Sequence, residues 1–270
     1  MLFSIIIPSC NRPDLLRRCL NALHPDVQNV DPVLYEVIVT DDSDNEETLR
    51  MLQKDFSWVK WMKGPKNGIA ANRNNAVSSA LGKWLVFTDD DCIPGSNWIK
   101  AYHDAITRND GISVFEGKTI ADRPQERFDE EAPVNETGGC LWSCNFCISK
   151  SLFNSIGGFN EQLKFAMEDV DLHKRLSAGH LILFTKEAFV IHPWRRVNLF
   201  KGISKNIKYR KIFNQLHYSD FHTRMKYRIG RSKIFLAALY FDFRKLIKFR
   251  FKGTLYFLES SMLKFIYIFI

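Results

Sequence analysis

Gly82-Lys-Trp-Leu-Val-Phe-Thr-Asp-Asp-Asp91 is the stretch whose reading decides the fold. Its middle is a short apolar run rich in aromatic and β-branched residues, as a buried strand requires, and it ends in three consecutive carboxylates. A small-residue helix is expected before it over 68–81, with Ile69, Ala76, Val77 and Ala80 on one face and Gly82 as the stop. A second helix is expected after it over 96–107, with Ser96 as its cap. Further out the same alternation repeats. Phe3-Ser-Ile-Ile-Ile-Pro8 reads as a buried strand, followed by the loop Ser9-Cys-Asn-Arg12. Pro13 then opens a helix with Leu15, Leu16, Cys19, Leu20 and Leu23 at helical spacing. Tyr35-Glu-Val-Ile-Val-Thr40 is a strand ending in Asp41-Asp42, with a helix over 46–56 and a strand over 58–62 behind it. Strand–helix alternation of this kind specifies an α/β fold, a mostly parallel sheet flanked by helices.

The second half is less regular. Strands are expected at 112–116, 181–184 and 188–191, and helices at 149–156 and 169–178. The segment 142–148 alternates like a strand. The polar stretch 121–137, with Pro124 and Pro133, reads as a mobile loop over the site.

Of the 270 residues, 46% are apolar and 25% charged, which excludes a disordered chain, a collagen-like fibre and a disulfide miniprotein. The net charge of +8 hides an asymmetry. From Arg195 to Ile270 there are 18 Lys and Arg against 3 Asp and Glu, a net of +15, so the first 194 residues carry a net of −7. An acidic body with a basic, aromatic-rich tail implies two jobs, the tail's being to meet nucleic acid or an anionic membrane. The expected division is a domain over 1–194 followed by a basic helical extension over 195–270. The first eight residues lack the features of a signal peptide, and no apolar run reaches the length a spanning helix needs, so a cytoplasmic protein is expected.

In an open parallel sheet, ligands bind beyond the carboxyl ends of the strands. Three expected strands end in notable groups there: 8–12, Asp41-Asp42 and Asp89-Asp-Asp91. A lone Asp in such a place is a turn former. Five at two strand ends need a counter-charge, and a hard divalent cation bridging to phosphate oxygens supplies one. In an extended segment Asp89 and Asp91 project to the same side.

The series Ile5-Ile-Ile-Pro-Ser-Cys-Asn-Arg12, Val37-Ile-Val-Thr-Asp-Asp-Ser43, Asn67-Gly-Ile-Ala-Ala-Asn-Arg-Asn74 and Gly82 to Asp91 resembles the family 2 glycosyltransferases of the GT-A, Rossmann-like fold. Gly157-Gly-Phe-Asn-Glu161 and Met167-Glu-Asp-Val-Asp171 resemble that family's downstream motifs in the same order. The resemblance covers about 1–194 and implies a nucleotide-binding half over about 1–110 and an acceptor and catalytic half over 111–194. It implies a nucleotide-sugar donor held by Pro8, Asn11, Arg12, Asp41, Asp42, Arg73, Asp89 and Asp90. Asp42 would accept from the uracil ring and Arg73 would contact base or diphosphate. It implies Mg²⁺ or Mn²⁺ on Asp91, Asp89 and His192, with Asp169 as the catalytic base and Glu168 as its partner. Asp169 also opens an expected helix, whose dipole favours the ionised form.

Trp142 and Asn145 are candidates for the sugar pocket, or a core tryptophan and a turn asparagine. Cys140, Cys144 and Cys147 lack the paired spacing of structural zinc and are taken as buried thiols. His103, His173 and His180 read as structural or solvated. The sequon at Asn135 lacks a secretory context. In the tail, 234–251 is expected as an amphipathic interfacial helix, or as a stripe that packs on the body or on a second copy. The resemblance implies a glycan or lipid-linked saccharide acceptor in surface polysaccharide synthesis, and so a peripheral position at the inner membrane face without nucleic acid. Oligomeric state is not legible. A nucleotidyltransferase would need glycine and lysine in 8–14, where there is neither. A non-catalytic sugar-nucleotide or membrane module would have no use for Glu168-Asp169.

Overall fold

The computed structural model describes 1–198, 203–218 and 220–269, with backbone alone at 205, 221 and 224. In chain order the elements are β1 (Phe3–Ser9), α1 (Pro13–Ala22), β2 (Tyr35–Asp41), α2 (Glu47–Asp55), β3 (Lys60–Lys63), α3 (Ile69–Ser78), β4 (Trp84–Thr88), β5 (Ile93–Pro94) and α4 (Trp98–Arg108). Then follow β6 (Val114–Ala121), β7 (Glu130–Glu131), β8 (Asn145–Ser149), α5 (Lys150–Ser155), α6 (Glu168–Ser177), β9 (Ile182–His192), β10 (Arg195–Arg196), α7 (Ile203–His217), α8 (Phe221–Lys248) and α9 (Thr254–Ile266).

The chain forms two compact units. The first comprises Met1–Asp122, Pro133–Lys164 and Glu168–Pro193. It is built on an eight-stranded sheet of order β3-β2-β1-β4-β8-β6-β9-β5. Pairings among β1, β2, β3 and β4 are parallel, as is β6 with β9, while β8 runs antiparallel to both of its neighbours. Strand alternation explains the layers. Ile5, Ile7, Val37, Val39 and Val86 point to one face, where Leu16, Leu20, Met51, Leu52, Trp98 and Tyr102 of α1, α2 and α4 cover them. Ile6, Ile38, Leu85 and Phe87 point to the other, beneath α3, α5 and α6 with Ala70, Ala76, Phe153, Leu172 and Leu176. Gly82 is a close approach, since a Cβ there would lie 2.5 Å from the Phe3 carbonyl carbon.

Strand order reverses at β1, whose successor β2 lies on one side and β4 on the other. This is the switch point where a crevice opens beyond the carboxyl ends.

Three local expectations are corrected. Ser96 does not cap α4. Asn97 takes the cap position, without a side-chain bond. The two strands expected at 181–184 and 188–191 are one strand, β9, because a register shift opposite Gly117/Lys118 absorbs the exposed polar residues between them. The segment 142–148 has no strand before Asn145, and Asn145–Ile148 are all buried, so the alternation is not that of a half-exposed strand.

The second unit comprises Arg123–Ala132, Phe165–Met167 and Trp194–Ile270. In it β7 and β10 form a two-stranded ribbon, so part of the stretch expected as a loop is paired. Helices α7, α8 and α9 follow. Phe128, Leu246 and Phe249 form its small buried core. Among the described residues, no helix is long and apolar enough to cross a membrane.

Candidate active site

At the switch point the β1 loop and the end of β4 are tied together. Ser9 Oγ donates to Asp90 Oδ2 at 2.9 Å, one Arg12 Nη lies 2.8 Å from Asp90 Oδ1 and the other 3.9 Å from Asp91 Oδ2. Asp90 is fully buried. Its oxygens hold the Ser9–Arg12 loop. Pro8 continues β1, and Asn11 sits in the left-handed region at φ 54°, with its N–H on Ser43 Oγ at 2.7 Å.

At the end of β2, Asp41 accepts from Ser43 N–H and Oγ at 3.0 and 2.5 Å and turns the chain. Asp42 accepts from Lys66 N–H at 2.8 Å. Partial burial raises the Asp42 pKa, the Lys66 N–H bond opposes it, and the Asp41 charge adds to the rise. Gly64 makes this possible, because a Cβ there would fall 2.1 Å from Asp42 Oδ1.

Beyond β4 the backbone turns instead of extending, and Cys92 N–H bonds back to Asp89 O at 3.1 Å. The alternation argument therefore does not apply to Asp89 and Asp91. Asp91 faces His192 at 3.5 Å from its Nε2, and Cys92 lies beside them. His192 Nδ1 lies 2.8 Å from Pro193 O. A carbonyl only accepts, so Nδ1 carries the proton and a neutral ring presents a lone pair at Nε2. Burial holds the His192 pKa below its ordinary value and keeps the ring neutral. A carboxylate oxygen and an imidazole lone pair face each other here, which a cation between them satisfies. The oxygen and nitrogen donors suit Mn²⁺ better than the all-oxygen preference of Mg²⁺. The fully buried Cys92 thiol is raised well above its ordinary pKa by burial and by Cys144, and it stays protonated.

Arg73 is buried. One Nη lies 2.8 Å from Asp89 and the other 3.0 Å from Glu168, while its guanidinium sits 5.4 Å from the Phe159 ring. Arg73 thus fastens the end of β4 to the start of α6. Glu168 is thereby ion-paired. Its neighbour Asp169 accepts from Val170 N–H at 2.8 Å and is pushed up to about 7 by burial first and then by the Glu168 charge. The helix dipole does not keep Asp169 fully ionised, because burial beside a second carboxylate outweighs it.

Asn145 ties parts of the scaffold together. It is 1% exposed, its Oδ1 accepts from Trp98 Nε1 at 2.8 Å and Tyr102 OH at 2.7 Å, and its Nδ2 donates to the Lys118 and Ala188 carbonyls. Trp142 is partly exposed and packs on the core, with a buried Nε1 that has no hydrogen-bond partner among the described residues. Sequence reasoning missed Glu116. This 2%-exposed carboxylate accepts from Asn135 Nδ2 and from the N–H groups of Gly139, Cys140 and Leu141 at 2.6–2.7 Å. It shapes the loop that leads into Trp142. The glycine pair at 138–139 was the available signal, since both residues adopt positive φ. Cys144 and Cys147 are buried thiols as expected, whereas Cys140 is half-exposed.

The sequence model described as Glycosyl transferase family 2 matches residues 4–149. The glycosyltransferase AglE of Haloferax volcanii is 24% identical over 208 residues, covering 71% of this chain and 67% of AglE. A GalNAc(5)-diNAcBac-PP-undecaprenol beta-1,3-glucosyltransferase of Campylobacter jejuni is 34% identical over 93 residues, 33% of this chain and 29% of that enzyme. The chain thus spans about two thirds of the first relative and less than a third of the second. The crystal structure of S. aureus TarS in complex with UDP superimposes with a TM-score of 0.61 at 23% identity, over 85% of this chain and 69% of that one, and supports the fold. With a match across more than half its length and the crevice of that fold, the chain belongs to glycosyl transferase family 2.

Proposed function

We propose that this protein transfers a sugar, with inversion, from a UDP-sugar to a hydroxyl of a glycan or lipid-linked saccharide in cell-surface polysaccharide synthesis. The observation that supports this most is the Arg73 bridge, which sets the Asp89–Asp91 turn beside the Glu168–Asp169 pair. Asp42 and the Asn11–Arg12 loop bind the nucleoside, and Arg12 lies toward the diphosphate. Asp91 and His192, with Asp89 near them, would hold Mn²⁺ or Mg²⁺. When bound, that ion supplies positive charge to the departing diphosphate. Asp169 takes the proton of the acceptor hydroxyl as its oxygen attacks the anomeric carbon, and a carboxylate titrating about 7 suits that task. The names of relatives favour this acceptor class: TarS is a poly(ribitol-phosphate) beta-N-acetylglucosaminyltransferase, and the Campylobacter enzyme is named for an undecaprenol-linked acceptor.

The second unit suits an anionic membrane surface. Leu255, Leu258, Met262 and Phe265 recur on one face of α9 and are all exposed, and α8 exposes Ile229, Leu236, Tyr240 and Ile247 among its lysines and arginines. Apolar side chains enter the headgroup boundary while cations meet anionic lipid. Nucleic acid is the alternative for such a surface, distinguished by salt-sensitive RNA or DNA binding.

The test of transfer is release of UDP from UDP-glucose and UDP-GlcNAc with Mn²⁺. Release that stops in Asp169→Asn while UDP still binds supports the reading. Release that persists in Asp169→Asn places the base elsewhere.

A further inference from the structure

The second unit contains a cavity that the transfer chemistry leaves unused. It measures about 330 Å³, at the small end of ligand pockets, which run about 300–1,000 Å³. One wall is a single face of α7 and its exit: Lys211, Asn214, Gln215 and Tyr218 recur at the three- and four-residue intervals that stack side chains on one side of a helix. The other wall is Tyr227 and Arg228 of α8. Tyr218 stacks on Tyr227 with ring centroids 4.4 Å apart, and Arg228 Nη2 donates to Phe269 O at 3.0 Å, which fixes both groups at the rim.

Asn214 is the informative residue. It is 6% exposed, and neither its Oδ1 nor its Nδ2 has a hydrogen-bond partner among the described residues. A buried amide left unsatisfied costs about 1–3 kcal/mol per group, which a ligand in the cavity would relieve. Around it the lining offers the Lys211 ammonium, the Arg228 guanidinium and the Gln215 amide, and no carboxylate. The nearest acidic group in sequence, Asp220, is exposed and occupied in capping α8 through Thr223 N–H at 2.8 Å. Two cations and two amide N–H groups from two helices match the several oxygens of a phosphate, and the P–OH of its protonated form offers the donor that Asn214 Oδ1 lacks.

We propose that this cavity binds a phosphate group, borne by a soluble phosphate or by a lipid headgroup. The proposal rests on the second unit alone and stands apart from the transfer reading. The test uses the full chain and inorganic phosphate, titrated by calorimetry at low ionic strength, beside Asn214→Asp and Lys211→Gln. Asn214→Asp places a carboxylate in the cavity, and Lys211→Gln removes an exposed cation without disturbing a core. One saturable site is expected. Its affinity should fall about tenfold or more in Asn214→Asp and a few-fold in Lys211→Gln, amounting to a loss of about 1.4 kcal/mol for each factor of ten. Circular dichroism reports folding, and if Asn214→Asp does not fold, Lys211→Gln decides. Vesicles of phosphatidylcholine with and without phosphatidic acid separate the sources. Binding to the acidic vesicles that both variants weaken and free phosphate competes assigns a headgroup. Phosphate binding by the protein with vesicle binding indifferent to the variants assigns a soluble phosphate. The proposal is overturned if phosphate shows no saturable binding and acidic vesicles no variant-sensitive binding, or if folded variants bind both as the parent does.

Discussion

Replacing Asp169 with Asn removes one titrating group and keeps its shape, and the structure assigns two consequences with defined signs. The first is kinetic. Asp169 titrates about 7, so the parent's donor turnover should fall about tenfold per pH unit below that value, and Asp169→Asn should lose about 10²–10⁴-fold at neutral pH. The second is thermodynamic. The carboxyl titrates from 3.8 in the unfolded chain and about 7 in the folded one, so across that window the folded state binds the proton more tightly. Stability conferred by that protonated state is present at low pH and is lost as pH rises toward the folded value, at up to about 1.4 kcal/mol per unit. Between about pH 5 and pH 7 the parent should therefore lose about 2 kcal/mol that Asp169→Asn does not lose. Urea denaturation of both proteins at the two pH values measures the difference. A parent and variant whose stabilities run parallel with pH would refute the burial argument, and undiminished turnover in the variant would refute the role as base.

Four further outcomes are expected. Glu116→Gln replaces an acceptor of four donors by an amide that must oppose some of them, and should cost about 2–4 kcal/mol in urea denaturation; a change under about 0.5 kcal/mol would contradict the assignment. Asn145→Ala strands the Trp98 and Tyr102 donors and two carbonyls and should cost about 3 kcal/mol or more, with the affinity of folded protein for UDP unchanged. His192→Ala should weaken Mn²⁺ in a titration and leave metal-free nucleotide binding alone. Arg244→Glu with Lys248→Glu should reduce sedimentation with phosphatidylserine vesicles by about tenfold or more, since each basic group contributes about 1 kcal/mol at such a surface; unchanged sedimentation would sink the membrane reading.

Much of the first unit was legible because its central strands are buried on both faces. Runs such as Ile5-Ile-Ile7 and Leu85-Val-Phe87 can only be central strands once turn residues bound them, and the carboxylates at their ends fall where a parallel sheet places ligands. Asp91 and His192, about a hundred residues apart in sequence, meet because β5 and β9 pair, which one-dimensional pattern does not contain. Polar residues were legible as important but not as to what they face. Arg73 turns inward to Asp89 and Glu168, Asn145 spends all its hydrogen-bonding capacity on the scaffold, and Asp90 holds the β1 loop. Each depends on partners brought by the fold. Glu116 escaped notice because a single Glu ending an expected strand carries no local mark of burial.

The most direct measurement is calorimetric binding of UDP, GDP, CDP and ADP to the parent and to Asp91→Ala, with and without Mn²⁺. UDP-selective binding that requires Mn²⁺ in the parent and vanishes in Asp91→Ala is the expected result. UDP affinity that is the same in Asp91→Ala, or no binding of any nucleotide by the parent, would contradict the account of this crevice as a sugar-nucleotide site.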